Sequence, residues 1–156
     1  MKEIILRQST LKKRFTIEFE NTHYKKNIRT TFNPAIENYG YKIKRTDIGS
    51  LPLIDIIPYN FTAEEHGTIS SVDNNIHIHN IGDALAALYI CEIDNCLIEI
   101  NADEFPVISD AREIYIDHIK KAGVVVQHEY REYEGYNLCL DVIKNKINTN
   151  SDKVCI

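Results

Sequence analysis

Two histidines stand two residues apart, His77 and His79 in "NNIHIHNIGD", and a carboxylate, Asp83, follows four residues later. On an extended strand residues i and i+2 share a face, so both imidazoles project together with Ile76 and Ile78 behind them. Side-by-side imidazoles ligate zinc, copper or iron, and a carboxylate is a suitable further donor. His66, Glu64, Glu65 and Asp73 are close in sequence. One reading is therefore a metal-dependent enzyme with His77, His79 and Asp83 as metal ligands. The other is the polar face of a solvent-facing strand. What decides between them is how the chain positions these residues.

The chain has 156 residues, enough for one domain with a core that needs no disulfide or metal. We expect a single α+β domain over 1–150 and a tail at 151–156. "KEIILRQ" and "RFTIEFE" read as strands separated by "STLKK"; in the second, Phe15, Ile17 and Phe19 alternate with Thr16, Glu18 and Glu20. The polar, basic stretch that follows suggests a short helix at Pro34–Tyr39 ended by Gly40. "YKIKRTDI" and "PLIDIIP" resume as strands. "TISSV" and "IHIHN" flank "DNN" as a hairpin. "GDALAALYIC" opens on Asp83 as a helix N-cap, with Leu85, Leu88 and Cys91 at helical spacing; "LYICE" and "CLIEI" could instead pair as a second hairpin. "CLIEINA" is a strand. "SDAREIYIDHIKKAG" carries Asp110 and Glu113 at its start, Lys120 and Lys121 in its last turn and Gly123 beyond it, the marks of a helix. "VVVQHEYREYE" is a strand and "YNLCLDVIKNKI" a closing helix. The expected fold is α+β: a mixed, largely antiparallel sheet from the N-terminal strands, and a C-terminal β-α-β-α unit with its helices packed on the sheet.

Charge is distributed unevenly. Residues 1–45 hold eleven Lys and Arg against four Asp and Glu, a net of +7. Residues 46–111 hold no Lys or Arg and twelve Asp and Glu, a net of −12. Either the basic strands neutralise this segment inside the fold, or it forms an outward field that draws a cationic partner and repels nucleic acid. The opening "MKEIILRQSTLKKRF" has only three consecutive aliphatics, too few for a signal peptide, and no apolar run suits a membrane span. Together with four cysteines lacking any C-x-x-C pair, this reads as a cytoplasmic protein.

Two stretches resemble parts of known families. The His-x-His followed by an acid resembles the first half of the cupin metal motif, which implies glycines and a later histidine. The downstream histidines, His118 and His128, lack the flanking pattern. "LIEINADEFPVISDAREIYIDHIKKAGVVVQHEYREYEG" resembles the closing β-α-β segment of hormone-sensitive-lipase-like hydrolases. Aligned on Pro106, the catalytic-acid position falls on Phe105, and the histidine position falls on Asn137 or Leu138. No G-x-S-x-G elbow occurs, so no activity is carried over. Phosphate-loop, dinucleotide-binding and H-E-x-x-H motifs are absent as well. His128, Tyr130 and Glu132 fall on one strand face and could exchange protons.

The leading expectation is a small acidic cytoplasmic protein that binds and neutralises a basic protein partner, in the manner of immunity proteins that block nuclease toxins. It has no cofactor. Glu64, Glu65, Asp73, Asp94, Asp103 and Glu104 would steer the partner, with Tyr59 and Phe61 as aromatic anchors. The metal-dependent enzyme is the alternative. A third reading is an RNA or phosphate binder through Lys12, Lys13, Arg14, Lys25, Lys26 and Arg29 beside Tyr24.

Overall fold

The computed structural model describes residues 6–20, 27–49, 53–71 and 75–131. In chain order the strands are β1 (Arg7–Leu11), β2 (Phe15–Phe19), β3 (Ile28–Pro34), β4 (Tyr41–Arg45), β5 (Ile54–Asp55), β6 (Phe61–Thr62), β7 (Thr68–Ser71), β8 (Ile76–His79), β9 (Cys96–Ile100) and β10 (Val124–Tyr130). Helix α1 (Gly82–Ile90) lies between β8 and β9, and α2 (Ala111–Ala122) between β9 and β10. Single turns of 3-10 helix occupy Pro58–Asn60 and Glu64–His66.

The main sheet has the order β2-β3-β9-β4-β5. Its centre, β9, alternates cleanly: Cys96, Ile98 and Ile100 are buried, while Leu97 and Glu99 are half-buried. Phe32 of β3 lies opposite Ile98 on one side, antiparallel, and Ile43 of β4 lies opposite it on the other, parallel. All three side chains are fully buried, each contributing roughly 2–3 kcal/mol by removal from water. With three antiparallel pairings and one parallel, the sheet is mixed and largely antiparallel, and the α+β expectation holds.

The two helices pack on each other. In α1, Gly82 and Ala84 through Leu88 are all buried. A helix without a polar stripe cannot sit at a surface, so α1 is an interior element. Helix α2 is amphipathic and buries Ala111, Tyr115 and Ile119. Tyr115 sets its ring edge-on to Phe19 and tilted against Phe32, which ties α2 to β2 and β3.

Several expectations are corrected. The first strand is Arg7–Leu11, so Ser9, Thr10 and Leu11, expected as connector, are ladder residues. The helix at Pro34–Tyr39 does not form. Ile28–Pro34 is a strand, and residues 35–39 turn back with Tyr39 N–H donating to Ile36 O. Asp83 is in the first turn of α1 rather than its N-cap, which is Ile81. Asp110 is the N-cap of α2, but its side chain makes no capping hydrogen bond. β10 does not join the sheet of β9; it pairs antiparallel with β1 in a separate ribbon. The expected closing helix at 136–147 and the tail at 151–156 lie outside the described residues.

Candidate functional site

The expected hairpin is present: β7 and β8 pair antiparallel, with β6 outside β7. Asn75 leaves the turn at φ 52°, a conformation Asn tolerates well. Register sets Ser70 opposite His77 and Thr68 opposite His79. Each imidazole consequently meets a hydroxyl: His77 Nδ1 lies 2.7 Å from Ser70 Oγ, and His79 Nδ1 lies 3.2 Å from Thr68 Oγ1. The two rings are nearly parallel, 15° apart, with centroids separated by 6.3 Å. Ile76 and Ile78 are buried beneath them, so the strand presents its histidines outward, His77 exposed and His79 half-buried.

Close backbone packing fixes this hairpin against α1. Gly67, at φ 93°, carries its Cα where an added Cβ would stand 3.2 Å from both Gly82 N and Phe61 Cε2. Ile81 N–H donates to Gly67 O, and Asn80 Nδ2 donates to Phe105 O. His79 also exchanges backbone hydrogen bonds with Asp103 and Phe105, forming a parallel bridge to Glu104.

Asp83 does not join the pair. It lies in the first turn of α1, where its charge, after burial, is the second influence raising the Tyr115 hydroxyl. Among the described residues no three His, Cys, Asp or Glu side chains gather as a metal-holding group. The expected ligand set His77, His79 and Asp83 is therefore not a closed site. His66 is in a 3-10 turn at φ 59°, and His128 is exposed on β10.

The acidic residues scatter. Asp94 is held inward: its carboxylate accepts from Ser9 N–H at 2.7 Å and pairs with Arg131 Nε at 2.7 Å. Burial pushes the Asp94 carboxyl above its usual range, with the Ser9 and Arg131 contacts pulling it back. Lys42 pairs with Asp55 and Arg45 with Asp47, so cations of β4 neutralise part of the acidic segment. Glu64 and Asp103 are exposed and Glu104 is half-buried. Glu65 is in the Glu64–His66 turn, and Asp73 lies outside the described residues. Tyr59 is exposed, but Phe61 packs against the core beside Gly67 and is no surface anchor.

Composition gave no sign of the buried polar hub around Asn95. Its Oδ1 accepts from Gly40 N–H, and its Nδ2 donates to Gln8 and Gln127. The hydroxyls facing the two histidines were within reach of sequence reasoning, because a hairpin register pairs residues 70 and 77. Cys91 and Cys96 are free thiols, and burial pushes Cys96 up to about 12. Among the described residues no helix is long and apolar enough to cross a membrane.

The family model for LpxC, UDP-3-O-acyl N-acetylglycosamine deacetylase, matches residues 8–154. The chain is 35% identical over 143 residues to the bifunctional enzyme LpxC/FabZ of Bacteroides thetaiotaomicron, covering 92% of this chain and 29% of the relative. It is 40% identical over 127 residues to the enzyme of the same name from Porphyromonas gingivalis, 81% and 27% of the two chains. With the UDP-3-O-acyl-N-acetylglucosamine deacetylase of Neisseria meningitidis it shares 30% identity over 128 residues, 81% and 42%. The chain thus spans less than half the length of these relatives. These matches overturn the expectation of a toxin-neutralising binding protein: the likeness runs along nearly the whole chain and is to a family of enzymes. The cupin and lipase resemblances give way to it as well.

Proposed function

The chain belongs to the LpxC family, and from that premise we propose that it serves the hydrolysis its relatives are named for, deacetylation of a UDP-3-O-acyl-N-acetylglucosamine. The observation that carries this reading is the match over residues 8–154, far longer than any local motif could produce by chance. In such a reaction water adds to the acetyl carbonyl carbon, the C–N bond breaks, and the amine leaves with a proton. We place this work in the cytoplasm, in keeping with the family and with the free thiols of Cys91 and Cys96.

The family implies zinc, which supplies an activated water and polarises the carbonyl. A catalytic zinc takes three protein ligands and keeps one position open. The described residues do not fit that requirement, because they contain no such three-donor group. Their contribution in this reading is the framework: the β9-centred sheet, the buried α1 and the packed α2.

The reading is tested by incubating the full-length protein with zinc and UDP-3-O-acyl-N-acetylglucosamine, then following the free amine by mass spectrometry. The expected result is time-dependent formation of the deacetylated sugar nucleotide. A rate equal to that without protein, with zinc supplied, overturns it.

A further inference from the structure

We propose that the corner where the link between β1 and β2 meets the end of α2 is a docking surface for an anionic phospholipid membrane. Five exposed cations gather there: Lys12, Lys13 and Arg14 in the link, and Lys120 and Lys121 in the last turn of α2. Backbone contact holds the two pieces together. Lys12 N–H donates to Gly123 O at 2.9 Å, and a Cβ added at Gly123 would stand 3.3 Å from Lys12 Cβ. His118 sets its ring 5.7 Å from that of Phe15. Lys121, three residues on, shares that helix face and is brought to the side of α2 nearest Arg14. Lys120 and Lys121 complement the carbonyl end of the helix, but Lys12, Lys13 and Arg14 have no such role. Among the described residues none of the five is in an ion pair, whereas Lys42, Arg45 and Arg131 all are. Asp117, exposed one turn before Lys121, offsets only a small part of this charge.

What borders the corner favours a membrane over a nucleic acid. Gly123 is followed by Val124, Val125 and Val126, which are 44%, 42% and 66% exposed. Val124 is paired with Leu11, the residue directly before Lys12. Exposed aliphatics beside lysine and arginine suit the headgroup boundary, where the cations meet lipid phosphates and the aliphatics meet the upper acyl chains. Nucleic-acid bases would need an exposed aromatic ring to stack on. Phe15 is half-buried and stacked on Phe32, and Tyr130 is at the far end of β10. The whole chain carries a net charge of −5, so an anionic surface attracts this corner and repels the acidic remainder, which selects one orientation. This docking does not depend on the deacetylation reading.

The test is co-sedimentation of the full-length protein with vesicles of phosphatidylcholine alone, and of phosphatidylcholine with about one-third phosphatidylserine. Binding is expected to the anionic vesicles only, and it should fall steeply as salt rises from about 0.05 M to about 0.5 M. Each cation near such a surface is worth about fivefold in binding, so Lys13→Gln/Lys121→Gln should weaken it about twentyfold. The charge reversal Lys13→Glu/Arg14→Glu/Lys121→Glu should abolish it, with circular dichroism unchanged because all three side chains are exposed. Val126→Ser should weaken it severalfold with the charge untouched. Equal binding to neutral vesicles, no binding to anionic ones, or undiminished binding in the Lys13→Gln/Lys121→Gln variant overturns the proposal. Tighter binding to single-stranded RNA at equal phosphate concentration overturns it as well.

Discussion

Asn95 is 1% exposed and uses its whole amide, joining Gly40, Gln8 and Gln127 while its backbone carbonyl accepts from Thr10 Oγ1. These partners come from β1, the β4 approach and β10, so one side chain links three separate parts of the chain. Asn95→Ala strands buried donors and acceptors together. We expect a loss of about 2–3 kcal/mol, read from the urea midpoint at constant slope; a loss below about 0.5 kcal/mol would show that water replaces the amide. In the sequence, "EIDNC" reads as nothing more than a turn, because its partners are remote in number. The His77 and His79 pair was legible for the opposite reason: a shared face needs only the two-residue period of a strand.

At the scale of elements, local signals found what local physics determines. Alternation located β2, the turn residues located the β7–β8 hairpin, and apolar spacing with terminal charges located α2. β3 escaped because Thr30, Thr31 and Asn33 look polar. It is a strand because β2 and β9 flank it on both sides and bury Phe32 and Thr30. The junction of α2 and β10 offers a direct test. Gly123 ends the helix at φ 87° and ψ 160°, a region open essentially to glycine alone, and an added Cβ would stand 3.3 Å from Lys12 Cβ. Gly123→Ala should cost about 2 kcal/mol and lower the melting temperature by several degrees. An unchanged melting temperature would mean that the turn relaxes without strain.

Over the whole molecule, the charge segregation seen in the sequence is partly neutralised by folding, through Lys42–Asp55, Arg45–Asp47 and Arg131–Asp94. Arg131 leaves the end of β10 and clamps the loop before β9, also donating to Glu92 O. Because burial raises Asp94, the folded protein keeps that proton to higher pH than the unfolded chain. The associated stability is fully present below the usual 3.8 and is lost as pH rises through the raised value. Arg131→Met removes the counterweight. We expect destabilisation of about 3 kcal/mol at pH 7 and clearly less at pH 4, by urea unfolding at both; equal losses would assign Arg131 a packing role alone. The family itself was not legible from the motifs weighed in the sequence; it is shown by a match over residues 8–154. The ribbon of β1 and β10 has a further consequence. Arg7 pairs with Tyr130, nearly the full described span away. At about 5–20 residues per second of synthesis, β1 waits on the order of ten seconds on the ribosome for its partner. Throughout that interval its ladder groups are open to any passing strand, which makes nascent-chain protection, rather than final stability, the point where this polypeptide is most vulnerable.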